Sequence, residues 1–390
     1  MKKIIFVVNN LETGGVQNSL LNLLKEIHTF YDITLLTFFG NDEFEKKLPS
    51  DVRLIKTKSS FRQLGMSATH INNTMLYLER VFWVALTKLA GRSFAIKLMC
   101  LGKKRYTGYD VAFSYIHEGP QKNLYGGCNE FVLKMVEAKK KVGWLHCDFN
   151  LSGANNSKSR EIYNKFDTVV ACSEGCRRAF VNCLPGLEEK TVSVSNCNDY
   201  ERIKLLSEEA FENYKDGFNI VTVARLSEEK GIERAIEAVY HCVQKGYDVM
   251  YHIVGGGDRE ESLKALVTKL SLENNVFFYG NKQNPYPYIK NASLFLLPSY
   301  HEAAPIVFDE AAFLGVPVLA TKTTSTDEML LENQSGVVCE NSQEGITQGL
   351  LKILVAPEQL NDISQHLKKR KFTNKESVNS VEAIINAIKG

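Results

Sequence analysis

Two basic residues five positions apart, Arg225 and Lys230, follow a short apolar run and precede a helical pattern that begins near Gly231. Arginine presents a planar fork of donors and lysine a point charge, while a helix start adds backbone N–H groups and the positive end of its dipole. Together these groups suit a diphosphate. A surface turn that holds two cations is the alternative, and both interpretations stay open on this stretch alone.

A glycine turn, Gly255-Gly256-Gly257-Asp258, comes after the next apolar run and before a helical run from Arg259 to Leu272. The dinucleotide-binding pattern G-x-G-x-x-G requires a third glycine, and that position holds Glu260. The amino-terminal pair Gly14 and Gly15 also lacks the spacing. These departures argue against a nicotinamide or flavin enzyme.

Two glutamates eight positions apart, Glu302 and Glu310, flank Pro305. Proline is favoured at helix starts, so Glu302 is predicted to lie in a loop and Glu310 within the helix that follows. Both carboxylates can then contact one ligand, and backbone donors near Pro305 can face an anion or a sugar hydroxyl. The pair His301-Glu302 is not a zinc-protease motif, because the second histidine of H-E-x-x-H would fall at Pro305.

The elements that must position these residues alternate between short apolar runs and longer helical segments, with seven runs before residue 196 and six after residue 216. This alternation is typical of parallel sheets built from βαβ units, whose strands are covered by helices on both faces. The polar, acidic stretch 196–216 predicts a hinge. The fold class is therefore α/β with two doubly wound domains, in which ligands bind beyond the carboxyl ends of the strands.

Composition and charge exclude several classes of protein. The 390 residues are 44% hydrophobic and 24% charged, far from the composition of disordered chains. A formal charge of +2 excludes a globally basic nucleic-acid binder. Nine cysteines without an even framework predict reduced thiols in the cytoplasm, and Cys172 and Cys176 are interpreted as buried thiols rather than metal ligands. We find neither a signal peptide nor a membrane-spanning apolar run.

The segment 52–105 is strongly basic, with eleven Lys and Arg against the single acid Glu79. It also holds an aromatic, apolar set from Leu76 to Leu89 at helix-compatible spacing. Each Lys or Arg near an anionic bilayer contributes about 1 kcal/mol, so this segment predicts peripheral binding to an anionic membrane surface. Solvated charges around a core helix are the alternative, and nucleic acid is disfavoured because no reading motif accompanies the charge.

With these motifs the chain resembles the family 4 glycosyltransferases, a large group of retaining enzymes that use nucleotide sugars. The resemblance covers nearly the whole length and is strongest from Val221 to Val338. Glu302 and Glu310 have the family's E-x7-E spacing, and they follow in order after the two cations, the glycine turn and Phe277-Phe278-Tyr279-Gly280. The resemblance implies the GT-B fold, with two facing Rossmann-like, doubly wound parallel-sheet domains and a carboxyl-terminal helix crossing back.

The implied domains are an acceptor-binding domain at 1–200, a nucleotide-sugar-binding domain at 201–370, and a helix at 371–390 that packs back on the amino-terminal domain. The resemblance also implies roles for single residues. Arg225 and Lys230 hold the donor diphosphate and stabilise the leaving nucleotide, and Glu310 accepts hydrogen bonds from the ribose hydroxyls. Contacts to the donor are further implied for Glu302 and the backbone after it, at Ala304, Pro305 and Ile306.

In the amino-terminal domain, Gly14 and Gly15 match the glycine loop that approaches the phosphates, and His146 matches an active-site histidine after a strand. A hydrogen-bonded core or loop histidine is the alternative for His146. Catalytic roles are implied for His146, Glu302, Arg225 and Lys230. The sequence departs from the family at Ala303, where glycine is usual, and in the turn Asn196-Cys197-Asn198-Asp199. These departures bear on which sugar is bound more than on the reaction.

The predicted function is transfer of a sugar from a nucleotide sugar, expected to be UDP-linked, to a lipid-linked or cell-envelope polysaccharide acceptor such as a capsule or exopolysaccharide unit. Because no D-x-D motif occurs, no essential metal and no cofactor are expected. The predicted location is the cytoplasmic face of the cell membrane, with peripheral binding. Alternatives are an epimerase or phosphorylase of the same layout and a non-catalytic protein that binds sugar nucleotides or lipids; no pyridoxal lysine is identifiable.

Overall fold

The computed structural model describes residues 1–12, 14–40, 42–67, 70–71, 73–212 and 214–388. The predicted basic segment therefore has residues 68, 69 and 72 outside the described part, and the predicted terminal helix has 389 and 390 outside it. The chain forms two compact units: unit 1 comprises Met1–Cys197 with Asn374–Gly390, and unit 2 comprises Asn198–Thr373. Each transition lies three residues from the boundary drawn on the sequence.

Unit 1 is built on seven parallel strands, which are β1 (Lys3–Asn10), β2 (Asp32–Phe39), β3 (Arg53–Lys56), β4 (Tyr106–Ser114), β5 (Val136–Leu145), β6 (Thr168–Ala171) and β7 (Thr191–Ser193). Their order in the sheet is β3-β2-β1-β4-β5-β6-β7. The helices are α1 (Gly15–Ile27), α2 (Asp42–Glu45), α3 (Thr74–Ala90), α4 (Arg92–Met99), α5 (Cys128–Met135), α6 (Ser157–Asn164), α7 (Glu174–Cys183) and α15 (Lys375–Asn386). Strand order reverses between β1 and β4, which places a switch point there.

Unit 2 repeats the design with six parallel strands, which are β8 (Phe218–Val223), β9 (Val249–Val254), β10 (Val276–Phe278), β11 (Leu294–Leu297), β12 (Val318–Thr321) and β13 (Gly336–Cys339). Their order is β10-β9-β8-β11-β12-β13, so the switch point lies between β8 and β11. The helices are α8 (Tyr200–Ser207), α9 (Ile232–Gln244), α10 (Glu260–Lys269), α11 (Tyr286–Lys290), α12 (Ile306–Phe313), α13 (Gln343–Val355) and α14 (Glu358–Lys369).

The α/β prediction with two doubly wound sheets is confirmed, and each predicted apolar run coincides with an observed strand. The reason is visible in burial: seven of the eight residues of β1 and all four of β11 are buried, as strands covered on both faces require. The stretch predicted as a hinge contains α8, which begins after Asp199, whose carboxylate accepts a hydrogen bond from the Arg202 N–H at 3.1 Å. Within the predicted terminal segment 371–390, the structure has α15, which belongs to unit 1, whereas the preceding α14 belongs to unit 2.

The helix α3 is unusual because Thr87 is its one buried residue. Six of its large apolar side chains are exposed instead, reaching 79% at Met75 and 88% at Leu89. Across the described part of the chain, no helix combines the length and hydropathy needed to cross a bilayer. One basic residue of the segment does not reach the surface: Arg92 is fully buried and pairs with the equally buried Glu118. The sequence-based placement of Arg92 among surface cations is therefore wrong.

Candidate functional site

The switch point of unit 2 is crossed by an ion pair between two of the predicted site residues. Lys230 ends a short 3-10 turn that follows β8, whereas Glu302 lies in the loop that follows β11. The Lys230 Nζ lies 2.5 Å from the Glu302 Oε1. Because β8 and β11 are neighbours whose following helices leave in opposite directions, this pair sits in the crevice where such sheets bind ligands.

The Glu302 carboxylate is oriented by a second donor. The Ser299 hydroxyl donates to the same Oε1 at 2.6 Å, and Ser299 is fully buried. Only 20% of the Lys230 side chain and 12% of the Glu302 side chain are exposed. A pair held this firmly presents a charged group of defined position to a ligand.

Arg225 lies on the loop directly after β8, and 72% of its side chain is exposed. Its guanidinium is 3.6 Å from the Glu229 carboxylate, a loose surface contact that a phosphate can replace. The loop itself is fixed by backbone bonds from Ala224 N–H to Val254 and from Leu226 N–H to Gly256. Arg225 therefore combines a backbone fixed by hydrogen bonds with an exposed charged end.

The glycine turn 255–257 supports the Arg225 loop by close approach. A Cβ at Gly255 would lie 1.8 Å from the Ala224 carbonyl oxygen, and one at Gly257 would lie 2.2 Å from that of Leu226. Neither position accepts a side chain while the loop stays in place. The supporting role of this turn was not predicted from the sequence, although a glycine directly after a strand is the usual signal of such an approach.

Arg234 is a functional candidate that sequence analysis missed. It lies in the first turn of α9, is 6% exposed, and donates hydrogen bonds to the Pro298 carbonyl oxygen and, at 2.9 Å, to the Asn341 side chain. Its guanidinium also lies 3.8 Å from the centre of the Tyr300 ring. Arg234 thereby ties the start of α9 to the loop that carries Glu302. Its position four residues after Lys230, in the first turn of the predicted helix, was the sequence signal that could have identified it.

Glu310 lies on α12, which begins after Pro305 as predicted. The Tyr286 hydroxyl donates to the Glu310 Oε1 at 3.1 Å. Burial raises the pKa of Glu310 to about 7, against the lowering effect of the Tyr286 hydrogen bond. The carboxyl is thus close to half protonated at neutral pH. Ala304, Pro305 and Ile306 are half-buried at the start of the same helix.

In unit 1, Gly14 and Gly15 form the start of α1 next to the switch point between β1 and β4. Gly14 provides no side-chain cap, and the first turn of α1 holds no acidic residue. The backbone N–H groups of this turn and the helix dipole therefore favour an anion there. Asn10, at the end of β1, accepts a hydrogen bond from Gln17 in α1 at 2.9 Å.

His146 directly follows β5, is half-buried, and packs against the rings of Tyr115 and Trp144 at centroid distances of 4.7 and 5.7 Å. Burial, with a smaller effect from the neighbouring His117, lowers the pKa of His146 to about 3, so the imidazole is neutral at physiological pH. Its Nε2 is buried without a hydrogen-bond partner among the residues described. A core histidine with both nitrogens bonded does not fit this observation.

His117, after the neighbouring strand β4, is a second histidine of the same kind. Its Nδ1 is also buried without a partner in the described ranges, and burial lowers its pKa to about 4. Sequence analysis missed it, although its place just beyond a strand end was a usable signal. Neutral imidazoles with an open nitrogen can exchange hydrogen bonds with hydroxyl groups.

The structure thus brings Arg225, Lys230 and Glu302 to one edge of the unit 2 sheet, with Glu310 on the helix that follows the Glu302 loop, and Gly14, Gly15 and His146 to the corresponding edge of the unit 1 sheet. Elsewhere, Cys172 and Cys176 are buried, with their sulfur atoms 3.9 Å apart. Over the described residues, no group of three or more His, Cys, Asp or Glu is arranged to hold a metal ion.

In a comparison with known protein families, residues 205–370 match the family described as glycosyl transferases group 1. The capsular polysaccharide biosynthesis glycosyltransferase CapM of Staphylococcus aureus is 25% identical over 216 residues, which are 53% of this chain and 57% of that protein. The chain spans 40 to 61% of the length of the first curated relatives it matches.

A longer match is to the N-acetylgalactosamine-N,N'-diacetylbacillosaminyl-diphospho-undecaprenol 4-alpha-N-acetylgalactosaminyltransferase of Campylobacter jejuni. It is 23% identical over 362 residues, which are 91% of this chain and 90% of that protein. Among solved structures, Anabaena Alr3699/HepE in complex with UDP-glucose superposes with a TM-score of 0.69 at 18% identity, over 99% of this chain and 100% of that one. With the two parallel sheets, this likeness establishes the fold as GT-B.

Proposed function

We propose that this chain, whose residues 205–370 belong to the glycosyl transferases group 1, is a retaining, metal-independent glycosyltransferase of family 4. The donor is a nucleotide sugar, UDP-linked, and the acceptor is a lipid-linked or cell-envelope polysaccharide unit. The ion pair between Lys230 and Glu302 across the unit 2 switch point, with the exposed Arg225 on the loop that leads to Lys230, carries the proposal. Relatives named for capsule, amylovoran and colanic acid biosynthesis support the polysaccharide class.

The proposed reaction breaks the bond between the anomeric carbon and the diphosphate oxygen while an acceptor hydroxyl attacks the same face. Negative charge then grows on the leaving diphosphate. Arg225 and Lys230 stabilise that charge, and the acceptor's proton passes to the departing phosphate oxygen. Lys230 has three donor hydrogens, so it can serve Glu302 and a phosphate at once. Electrostatic stabilisation of this kind commonly contributes about 10²- to 10³-fold per donor.

The remaining site residues position the substrates in this proposal. Glu310 accepts hydrogen bonds from the ribose hydroxyls, and Glu302 with the backbone at Ala304 to Ile306 contacts the sugar. Neutral His146 exchanges a hydrogen bond with a hydroxyl through its open Nε2. The amino end of α1, at Gly14 and Gly15, approaches the phosphates. No cofactor takes part.

Peripheral binding at the inner face of the membrane is also proposed. It is supported by the exposed apolar side chains of α3 together with the basic surroundings of that helix. Apolar side chains that enter the interfacial region and lysines that face anionic lipid act together in such binding. The arrangement would bring the enzyme to a lipid-linked acceptor.

The test of the catalytic proposal is Lys230→Ala, assayed for sugar transfer with a panel of nucleotide sugars and for donor binding by thermal shift. We expect transfer to fall at least about 100-fold, because a charge aimed at the leaving group is lost. The control is Lys245→Ala, which removes an exposed lysine at the other end of α9. Near-normal turnover by Lys230→Ala would refute the diphosphate assignment, and interconversion of a nucleotide sugar without acceptor would indicate an epimerase.

A further inference from the structure

An open pocket of about 400 Å³ lies on unit 1, lined by four lysines and an aromatic pair. Two of the lysines, Lys56 and Lys58, come from the end of β3 and the residues after it, and the other two, Lys103 and Lys104, precede β4. Phe61 and Tyr106 contribute the rings. Two separate stretches of the chain thus bring four positive charges together in one pocket.

The four ammonium groups are only partly neutralised. Lys56 pairs with Glu45, whereas no ion pair is recorded for Lys58, Lys103 or Lys104 with any residue the structure describes. All three are exposed at their rim positions. Like charges gathered without counter-charges repel one another, so the pocket gains free energy when an anion enters.

The base of the pocket is rigid. Phe61 is 3% exposed, and its ring packs edge-on against Phe131 at a centroid distance of 4.9 Å. The Tyr106 ring lies 5.9 Å from the same Phe131. The lysines are therefore held on a packed aromatic support, which distinguishes this place from the scattered charges of an ordinary surface.

The pocket also adjoins the exposed apolar surface. The 3-10 turn Ser60–Leu64, which carries Phe61, packs against both α3 and α4. Leu101, two residues before Lys103, is 67% exposed. The turn that lines the pocket thus also contacts the helix that carries the exposed apolar side chains, and this connection favours a ligand that is itself part of a bilayer.

We infer that this pocket binds the phosphate headgroup of a lipid and prefers a headgroup with more than one negative charge. Three unpaired ammonium groups exceed the single charge of a phosphodiester, whereas a phosphomonoester carries about −1.5 to −2 at neutral pH. The inference rests on the proposed membrane association and deepens it: a discrete site replaces a diffuse basic surface.

The experiment is co-sedimentation of the full chain with phosphatidylcholine vesicles that contain either phosphatidic acid or phosphatidylglycerol at matched surface charge. Wild type is expected to bind the phosphatidic acid vesicles about tenfold more tightly. The double variant Lys58→Ala/Lys104→Ala should lose this preference. The control Lys88→Ala/Lys97→Ala removes two exposed lysines of the same segment outside the pocket, and it should weaken both bindings by up to about 30-fold while keeping the preference.

Equal losses on both vesicles in the two double variants would show a diffuse surface and overturn the inference. Soluble glycerol 3-phosphate provides a further arm: if it stabilises the wild type against heat as strongly as the vesicle-borne phosphate, the pocket serves a soluble phosphate and the lipid assignment is wrong. Binding of nucleotide sugars is measured by thermal shift in a separate experiment, which tests the proposed function and not the pocket. A protein that ignores every nucleotide sugar yet keeps the headgroup preference refutes the proposed function and supports this site.

Discussion

At the residue scale, the Lys230–Glu302 pair shows how the lysine proposed to bind a phosphate is held in place without a ligand. The ammonium and the carboxylate pair where both side chains are mostly buried. Ser299 holds the carboxylate in turn. Since removal of one partner leaves the other charge poorly compensated, changes at either residue affect more than one contact.

Glu302→Gln tests this pair from the carboxylate side. We expect transfer to fall about 10²-fold, because the neutral amide no longer fixes the Lys230 ammonium, while the fold persists because the amide fills the same volume. Transfer rate and circular dichroism are the measurements. Glu261→Gln, at a side chain that is 90% exposed, is the matched control. Wild-type rates for Glu302→Gln would remove Glu302 from the site.

The raised pKa of Glu310 predicts how binding of the nucleotide depends on pH. If Glu310 binds the ribose as proposed, the ribose hydroxyls donate to its ionised carboxylate, so affinity for UDP should rise as pH increases through about 7 and level off above it. Tyr286→Phe removes the hydrogen bond that lowers the Glu310 pKa, so the rise should move to higher pH. Calorimetric titration with UDP between pH 5.5 and 9 measures both; an unchanged midpoint in Tyr286→Phe contradicts the assignment.

Metal dependence is a separate residue-scale prediction. Arg225 and Lys230 supply two positive charges at the proposed diphosphate position, the role that a divalent ion plays in other transferases. Transfer is therefore expected to continue at an unchanged rate in excess chelator. Loss of activity in chelator that returns with Mg²⁺ or Mn²⁺ would contradict this expectation.

At the element scale, loops that follow strands hold the site because neighbouring elements lock them. The Arg225 loop rests on the glycine turn 255–257, and Gly231, with φ of 60° and its would-be Cβ 2.5 Å from the Pro298 carbonyl oxygen, starts α9 close to the Glu302 loop. Each contact joins the end of one strand to that of its neighbour. The crevice is thus shaped by backbone approach as much as by side chains.

Gly257→Ala tests that support. The added methyl would lie 2.2 Å from the Leu226 carbonyl oxygen, so the Arg225 loop must shift, at a cost of about 1–3 kcal/mol in the free energy of unfolding. Donor affinity should fall with it. The neighbouring Gly256→Ala is the control, since the nearest atom to its methyl is 3.8 Å away. Chemical denaturation and thermal shift with donor are the measurements, and equal behaviour of the two variants would disprove the support.

At the scale of the whole molecule, six large apolar side chains of α3 lie on the surface of unit 1. The apolar strands of both sheets, in contrast, are buried. Exposed apolar groups at this density mark an interaction surface. The basic residues around them favour anionic lipid over a protein partner. The rest of the chain carries a net negative charge, because the segment 52–105 contributes +10 to a total of +2.

Leu78→Gln/Phe82→Gln should release the protein from anionic vesicles without destabilising it. These side chains are 62% and 57% exposed, so the folded unit loses little burial, whereas insertion into the bilayer interface loses its apolar part. Vesicle flotation and thermal denaturation measure the two effects. Leu205→Gln, 71% exposed on unit 2, is the control. Undiminished vesicle binding by the double variant would assign α3 to another role.

Much of this arrangement was predictable from local pattern. Strands buried on both faces must be apolar throughout, so the thirteen runs and the α/β class were visible in the sequence, as was the start of α12 after Pro305. The ordered motifs predicted a glycosyltransferase, and the match to glycosyl transferases group 1 confirms that resemblance. The roles drawn from it for the individual site residues, in both units, stay predictions.

What only the tertiary structure decided are the relations between distant residues and the environment of each side chain. Strand order, not sequence distance, brings Lys230 into contact with Glu302, 72 positions away in the chain. It likewise brings the Arg234 guanidinium to the Pro298 carbonyl oxygen and places Gly257 close to the Leu226 carbonyl oxygen. The apolar pattern of α3 would suit a core helix equally well; its exposure depends on what packs against it. Periodicity records which side chains share a face, whereas burial, pairing and pKa depend on neighbours that the fold supplies.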